Sequence, residues 1–121
     1  MVAPNVVAVT TITGKTDVQD VGTTATAITT NSAASGQVYK INSLVVSNID
    51  GTNDADVTVD LFRSSTPYRI ASTITVPADA SLVVISKEIG LYLEEGDSLR
   101  CTASAAGDLQ AICSYEIIDD V

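Results

Sequence analysis

Hydrophobic residues along this 121-residue chain alternate with polar residues in the manner of β-strands. The clearest alternation is VTVDLF at 57–62, where Val57, Val59 and Leu61 point to one face and the residues between them point to the other. No segment keeps a helical period beyond one turn. The pattern therefore predicts an all-β protein.

Turn-forming residues divide the chain into about eight to ten short strands, at a spacing typical of sandwiches and barrels. We place the strands at 5–13, 23–30, 37–49, 57–62, 68–74, 81–86, 91–93, 98–104 and 109–118, with the glycine-bracketed segment 14–22 as a connection. No repeat, low-complexity tract or linker divides the sequence. We therefore expect one domain over residues 1–121, folded as an antiparallel β-sandwich of jelly-roll type.

Two of these segments are expected to differ from a simple regular strand. Residues 37–49 are long for one strand, and the polar pair Asn42–Ser43 in their middle predicts a bulge or bend between two half-strands. Residues 1–13 form either the chain's own edge strand or an extended N-terminal arm that adds to a neighbouring subunit's sheet. The chain's own sheet is the favoured alternative.

The last two predicted strands flank Gly107 and are expected to form a closing hairpin. If the hairpin turns symmetrically there, Cys101 faces Cys113 and Leu99 faces Tyr115. A slip of the register would make the cysteines diagonal neighbours instead. In a reducing cytoplasm two buried thiols are favoured, and a disulfide is the alternative. Without histidine, two sulfurs are too few ligands for zinc.

Composition agrees with a sheet protein and indicates a thin core. Thr, Val and Ile number 15, 15 and 11, so 41 of the 121 residues are β-branched, a shape that packs well on pleated sheets. Five aromatic residues and no Trp are present, so the core must be mainly aliphatic. Two closely apposed sheets satisfy both observations.

The charge balance restricts the classes of partner. Six basic residues against fifteen acidic ones give a formal net charge of −9, which repels phosphate and anionic lipid. Nucleic acid and membranes are therefore not expected as partners. No apolar run approaches the length of a membrane helix, and the N-terminus lacks the basic start of a signal peptide. We expect synthesis in a cytoplasm, with use there or release from it inside an assembly.

The residues needed for common catalytic systems are missing. The sequence has no histidine, which excludes Ser-His-Asp and Cys-His nucleophiles and imidazole metal sites. No Ser-x-x-Lys dyad and no glycine-rich nucleotide loop occur. The adjacent carboxylates Glu94 and Glu95 precede Gly96 and are interpreted as a solvated turn rather than a glycosidase pair. We expect no enzyme activity and no cofactor.

One acidic loop offers oxygen ligands for a hard cation such as Ca²⁺. In DGTNDAD at 50–56 the candidate ligands are Asp50, Asp54 and Asp56. An EF-hand loop has Gly at its sixth position and Glu at its twelfth, whereas here Gly51 is second and Leu61 is twelfth. The same residue types are selected by ordinary turns, so an ordinary loop is favoured over a metal site.

Two long stretches carry a recognisable pattern, VYKINSLVVSNIDGTNDADVTVDLF (38–62) and VPADASLVVISKEIGLYLEEGDSLRCTASAAGDLQAICSYEI (76–117). Both resemble a family of small virion structural proteins of tailed bacteriophages, especially cyanophages. The resemblance covers roughly two thirds of the chain and includes no catalytic motif. Residues 1–36 match least distinctly.

The resemblance implies a β-sandwich carried on the virion. Its first implication is a capsid decoration (cement) protein on the outer shell, which binds and stabilises the major capsid protein and forms homo-oligomers. A tail, neck or fibre component is the alternative, and a carbohydrate- or Ca²⁺-binding module is a second one. We expect contacts at sheet edges and in the loops 50–56 and 94–97.

Overall fold

Strands make up all the regular secondary structure that is described. The computed structural model describes residues 10–119, and no helix occurs among them. The strands in this range are β1 (Thr11–Val21), β2 (Thr26–Thr30), β3 (Gln37–Asn48), β4 (Ala55–Arg63), β5 (Thr66–Val76), β6 (Ser81–Ile85), β7 (Leu91–Leu93), β8 (Ser98–Ala103) and β9 (Leu109–Asp119). The prediction of an all-β protein is confirmed.

The strands form two antiparallel sheets. Sheet A has the order β1-β9-β3-β6, with β7 paired to one end of β3, and sheet B has the order β2-β8-β4-β5. Successive strands mostly alternate between the two sheets, so most neighbours within a sheet are distant in sequence. This is the strand order of a jelly roll, and the predicted antiparallel sandwich is confirmed.

The core lies between the sheets and consists of the inward residues of both. On β4, Val57 and Val59 are fully buried, as the alternation predicts. Tyr115 extends the aliphatic core and stacks on Tyr39, with ring centroids 5.2 Å apart. The buried core residues are Val21, Ile41, Leu44, Val46, Ala55, Val57, Val59, Val76, Ile85, Leu93, Leu99, Cys101, Ala103, Leu109, Ala111, Cys113 and Tyr115.

Strand β1 differs from its prediction. The sequence predicts a connection at 14–22, but β1 continues to Val21 because each of its residues finds a partner on β9. Residues 1–9 of the predicted arm lie outside the described range, whereas Thr11–Thr13 belong to this edge strand of the chain's own sheet. Strand β5 is also longer than predicted, because it extends over eleven residues where the sequence indicates a strand at 68–74.

One of the two predictions for β3, the bulge, is confirmed, and the division into two half-strands is not. Its pairing with β9 shifts register between Ile41 and Ser43, so the bulge predicted at Asn42–Ser43 is present. The chain does not divide into two half-strands there, because both sides of the bulge stay paired to β9 in sheet A. The polar pair therefore bends one long strand rather than ending it.

The predicted closing hairpin is wrong. Strand β8 belongs to sheet B and β9 belongs to sheet A, so the turn around Gly107 crosses from one sheet to the other. Cys101 lies opposite Val59 of β4, and Cys113 lies opposite Leu44 of β3. Both strands bury every second residue. This alternation is expected for strands in two opposed sheets as well as for the two strands of a hairpin, so it does not distinguish them.

Candidate assembly surface

The acidic loop 50–56 uses its carboxylates to bind its own surroundings. Each of its three aspartates accepts a hydrogen bond from a different group. These bonds run from Thr52 N to Asp50 (2.8 Å), from Ala78 N to Asp54 (3.0 Å) and from Thr75 Oγ1 to Asp56 (2.7 Å). Within residues 10–119 no group of three or more His, Cys, Asp or Glu side chains is placed to hold a metal ion. The loop is therefore fastened to β5 and to the connection that follows it.

A second loop brings one more carboxylate to the same end of the sandwich. Ile49 N donates to the carbonyl oxygen of Asp108 at 2.7 Å, which joins the loop after β3 to the loop before β9. Partial burial, the charge of Asp50 and a shared hydrogen bond with it raise the pKa of Asp108. Hydrogen bonds from Thr52 N and Asn53 lower the pKa of Asp50. Asp108 is therefore the first of these two carboxyl groups to take up a proton as the pH falls.

The turn at 94–97 is closed by an ion pair. Arg63 donates to Asp97 at 2.6 Å and 2.8 Å and to Glu94 at 2.8 Å, and the side chain of Asp97 is 2% exposed. Glu95 instead accepts a hydrogen bond from Gly36 N at 3.2 Å. The carboxylates of Glu94 and Glu95 thus bind different partners and do not form a pair.

Both cysteines are free, buried thiols. Burial, with smaller contributions from the charges of Cys113 and Asp60, raises the pKa of Cys101 to about 12. Burial likewise raises the pKa of Cys113 to about 11. A thiol with such a pKa carries almost no nucleophilic thiolate at neutral pH, so these side chains act as small apolar groups.

A half-buried carboxylate, that of Asp17, closes the edge of the sandwich between β1 and β2. Asp17 Oδ2 accepts hydrogen bonds from Tyr115 Oη at 2.9 Å and from Thr29 Oγ1 at 3.0 Å. Burial and the hydrogen bond to Asp17 raise the pKa of Tyr115 well above its usual range. The phenol therefore stays protonated and donates to Asp17, which ties β9 to the edge strand.

The outward face of sheet B covers its own charges and its own aromatic ring. Arg100 binds Asp60 with two hydrogen bonds of 2.8 Å and 3.1 Å, and Asp60 is only 3% exposed although it points away from the core. The Arg100 guanidinium carbon lies 3.9 Å from the centroid of the Phe62 ring. Stacking of this kind shields the ring and fixes the guanidinium.

The outward face of sheet A carries an uncovered line of aliphatic side chains across four strands. Val18 lies opposite Ile112, Ile112 opposite Val45, and Val45 opposite Val83. Val18, Ile112 and Val83 are 74%, 46% and 61% exposed, although all three are large apolar residues. We name these four residues the apolar row.

Polar rows flank the apolar row on both sides. They consist of Thr16, Ser114 and Ser43 on one side and of Asp20, Gln110, Ser47 and Ser81 on the other. Their side chains bind one another in the pairs Thr16–Ser114 (3.2 Å), Gln110–Asp20 (3.0 Å) and Ser47–Ser81 (3.0 Å). Three pairs of polar side chains beside the apolar row are therefore hydrogen-bonded within the chain.

A shallow groove and few charges complete this face. The groove lies between β1 and β9, has a volume of about 400 Å³ and is lined by Val18, Gln19, Asp20, Gln110, Ala111 and Ile112. On the strands of this face the charged residues are Asp20, Lys40 and Glu116, with Lys40 opposite Glu116 in register. The face thus carries a net charge near −1 in a chain of −9.

The long edge strand of sheet B is poorly suited to pairing with another strand. Strand β5 contains Pro67, which has no amide donor, and its register shifts twice against β4. Thr73 on this strand has a φ of 52°, an unfavourable backbone conformation for a β-branched residue. Such irregularities discourage edge-to-edge association.

The sequence indicated contacts at sheet edges and in the loops 50–56 and 94–97, and it did not indicate the apolar row. A signal was nevertheless present, because three strands contain consecutive apolar residues at 44–46, 82–85 and 111–113. In a strand with one face in the core, such a run places an apolar residue on the outward face as well. The register between strands, which aligns these residues into one row, was not predictable from the runs.

In the described part of the chain, no helix has the length and hydropathy of a membrane span. Comparison with protein-family models gives no match, and comparison with curated proteins also gives none.

Solved structures do resemble this chain. One is a protein of Bacillus endospore appendages, described as a novel family of disulfide-linked pili. It is 19% identical, has a TM-score of 0.55, and the match covers 92% of this chain and 90% of that one. Another is a pentameric capsid protein isolated from metagenomic phage sequences, at 17% identity and a TM-score of 0.40. That match covers 88% of this chain and 60% of the capsid protein, so this chain spans less than two thirds of its length. At 19% identity, the likeness to the endospore appendage protein shows a shared fold.

Proposed function

We propose that this chain is a non-enzymatic virion structural protein, a capsid decoration protein that binds the shell of the major capsid protein on its outer surface and stabilises it. The observation that carries the proposal is the outward face of sheet A. It presents exposed aliphatic side chains on a rigid sheet, while three pairs of polar side chains beside them are hydrogen-bonded within the chain. Such a face suits binding to another protein surface.

The chemistry of the described residues supports a structural role. The carboxylates that sequence reasoning considered bind separate partners, and the two thiols are buried with raised pKa values. The solved structures that resemble this chain are subunits of a pilus and of a capsid. The resemblance of residues 38–62 and 76–117 to phage virion proteins favours the capsid surface as the place where this structural protein binds.

The charge distribution supports attachment in many copies. A net charge of −9 keeps a small protein soluble and dispersed before assembly. On a symmetric shell, a weak contact repeated at every equivalent position gives strong overall attachment. No single deep pocket or dominant charged residue is then needed.

Copy number in purified particles tests the proposal. Quantitative mass spectrometry would compare the number of copies of this protein with that of the major capsid protein. A ratio near one or another simple lattice fraction supports a decoration protein. A handful of copies per particle would assign the chain to the tail, neck or fibre instead. Complete absence from particles would contradict a virion role.

A direct binding experiment tests the stabilising role. Purified protein would be added to shells that lack it, and the temperature at which the shells open would be recorded. A decoration protein raises that temperature by binding only the assembled state. A matched addition of an unrelated acidic β-sandwich controls for non-specific protection. No binding to the shells would contradict the proposal.

A further inference from the structure

The geometry points to the outward face of sheet A as a self-association surface, on which a second copy of this chain packs face to face. The two copies are related by a two-fold axis that runs along the strands between β9 and β3. This inference deepens the proposed function, because it concerns the same face: a second copy occupies it in the free protein, and the capsid shell occupies it after attachment. The inference rests on the apolar row, on the charges of this face and on its size.

The apolar row is the first argument. Val18, Ile112 and Val83 remain 46% to 74% exposed on a face whose other central rows are polar. Two sheets that pack face to face interdigitate such rows about 10 Å apart. The two-fold axis places Val18 against the partner's Val83 and Ile112 against the partner's Val45. Each copy therefore covers the apolar residues of the other.

Charge complementarity is the second argument, and it selects a second copy as the occupant. Lys40 on β3 and Glu116 on β9 are opposite each other in register, one on each side of the proposed axis. Among the described residues, neither forms an ion pair. The two-fold axis sets Lys40 near the partner's Glu116 and Glu116 near the partner's Lys40. The same axis sets Asp20 against the partner's Ser81, so it brings no two carboxylates together.

The low net charge of the face removes the main obstacle to pairing. Two copies of charge −9 repel each other over most of their surfaces. This face carries two carboxylates and one lysine on its strands, whereas the loops at both ends of the sandwich are strongly acidic. Contact through sheet A therefore keeps most of the negative charge away from the interface.

The size of the face predicts a weak dimer. Four strands and the four central rows cover about 20 Å by 25 Å, or about 500 Å² on each partner. The total of about 1,000 Å² is at the lower end of specific interfaces. We therefore expect reversible dimers at micromolar concentrations rather than a permanent complex.

Sedimentation velocity between about 1 and 500 µM tests the inference. Wild-type protein is expected to shift from the 12.5 kDa monomer to a species of twice that mass as concentration rises. The variant Val83→Asp places a charge in the apolar row and is expected to remain monomeric over this range. Thr102→Asp adds the same charge to the outward face of sheet B and is the matched control. Circular dichroism establishes that both variants are folded.

A charge exchange tests the orientation of the two copies. Lys40→Glu and Glu116→Lys each place like charges together across the axis, and each is expected to weaken dimerisation by about tenfold. The double variant carries both changes and restores opposite charges, so it is expected to dimerise within about threefold of wild type.

Three results would overturn the inference. The first is a wild-type chain that stays monomeric up to the highest concentration. The second is a dimer that Thr102→Asp disrupts and Val83→Asp does not, which would place the contact on sheet B. The third is a monomer whose attachment to shells is lost in Val83→Asp, which would make the shell the occupant of this face. A dimer that the charge exchange leaves unchanged would overturn the proposed axis.

Discussion

The outward faces of the two sheets differ in how far their large side chains are covered by neighbouring residues. On sheet B, Arg100 covers Phe62 and pairs with Asp60, so an aromatic ring and two charges are shielded within one chain. On sheet A, aliphatic side chains stay exposed between polar rows that consist mainly of serine and threonine, with Asp20 and Gln110 on one side. Long side chains reach over their neighbours, whereas serine and threonine cannot.

This difference shows how a sheet face is made available for contact. A face with arginine and aspartate on adjacent strands satisfies itself and leaves little gain for a partner. A face with a valine row between short polar rows keeps its apolar surface accessible. The choice of residues beside the apolar side chains, rather than the apolar side chains alone, separates the two faces.

The inward faces of both sheets are closed to solvent, and the reactivity of the two cysteines tests this closure. It is the largest effect that we expect. Cys101 lies in sheet B and Cys113 in sheet A, and both are buried. Labelling by a thiol reagent is expected to be at least about 1,000-fold slower in the folded protein than in urea, because it requires opening of the core. Two free thiols should be counted after unfolding. Rapid labelling of one cysteine without urea would show that its sheet is open.

Removal of the carboxylate beneath Arg100 is expected to have the largest effect on stability. Asp60→Ala leaves the guanidinium without its partner on a largely buried site and should lower the free energy of unfolding by about 3 kcal/mol. Urea denaturation measures the loss. Glu116→Ala on the outward face of sheet A is the matched control, with an expected change below about 0.5 kcal/mol. Equal losses in the two variants would remove the distinction between the faces.

The turn at 94–97, next to sheet B, is also closed by hydrogen bonds within the chain. Breaking them should lower the free energy of unfolding by less than Asp60→Ala does. Arg63→Met removes the hydrogen bonds to Asp97, a carboxylate that is almost fully buried, and is expected to lower the free energy of unfolding by about 2 kcal/mol. Gln is a less suitable replacement because its amide could keep one of these bonds. A loss as small as that of an exposed surface pair would contradict the role of Arg63 in closing the turn.

The pH dependence of the same turn follows from the pKa of Asp97. Burial opposes ionisation, but hydrogen bonds from Arg63 and Glu94 N outweigh it and lower the pKa below 3.8 in the folded state. The ionised form thus contributes stability above the unfolded pKa, and this contribution disappears as pH falls through the lower folded pKa. Wild type should lose its advantage over Asp97→Asn below about pH 4. Urea denaturation of both proteins across this range measures the change, and a constant difference would contradict it.

The apolar row should give the smallest effect on the stability of the isolated chain. Val18→Thr and Val83→Thr keep a β-branched shape on exposed positions, so each is expected to change the free energy of unfolding by less than about 0.5 kcal/mol. The same substitution at the fully buried Val46 should cost about 2 kcal/mol. Thermal unfolding at low concentration measures both. A large loss at Val18 or Val83 would make the row part of the fold rather than a contact surface.

The sequence predicted the fold class because the relevant signals are local. Alternation at 57–62 depends on a single strand, and the bulge at Asn42–Ser43 depends on two adjacent polar residues. The partners of each strand depend on contacts between distant residues. Cys101 and Cys113 therefore appeared to face each other across a hairpin, while in the structure their strands belong to opposite sheets.

The candidate surface was less predictable than the fold. Clusters of Asp, Asn and Gly drew attention to loop 50–56, but the same residue types serve turns that bind their own backbone. Val18 is the opposite case, because a single valine in a strand says nothing until Ile112 is known to stand beside it. A surface made of four strands requires three registers, and none of them is encoded locally.

The position of β9 between β1 and β3 affects how the protein is made. Residues at the start of β1 pair with the end of β9, as Thr11 does with Asp119, so the first strand waits for a partner synthesised after the other eight. Until that strand emerges from the ribosome, sheet A lacks one of its two central strands and one edge of β3 stays unpaired. Non-local pairing of this kind folds slowly and exposes intermediates to aggregation and proteolysis. We therefore expect chains interrupted before residue 109 to remain unfolded, because sheet A cannot form without β9.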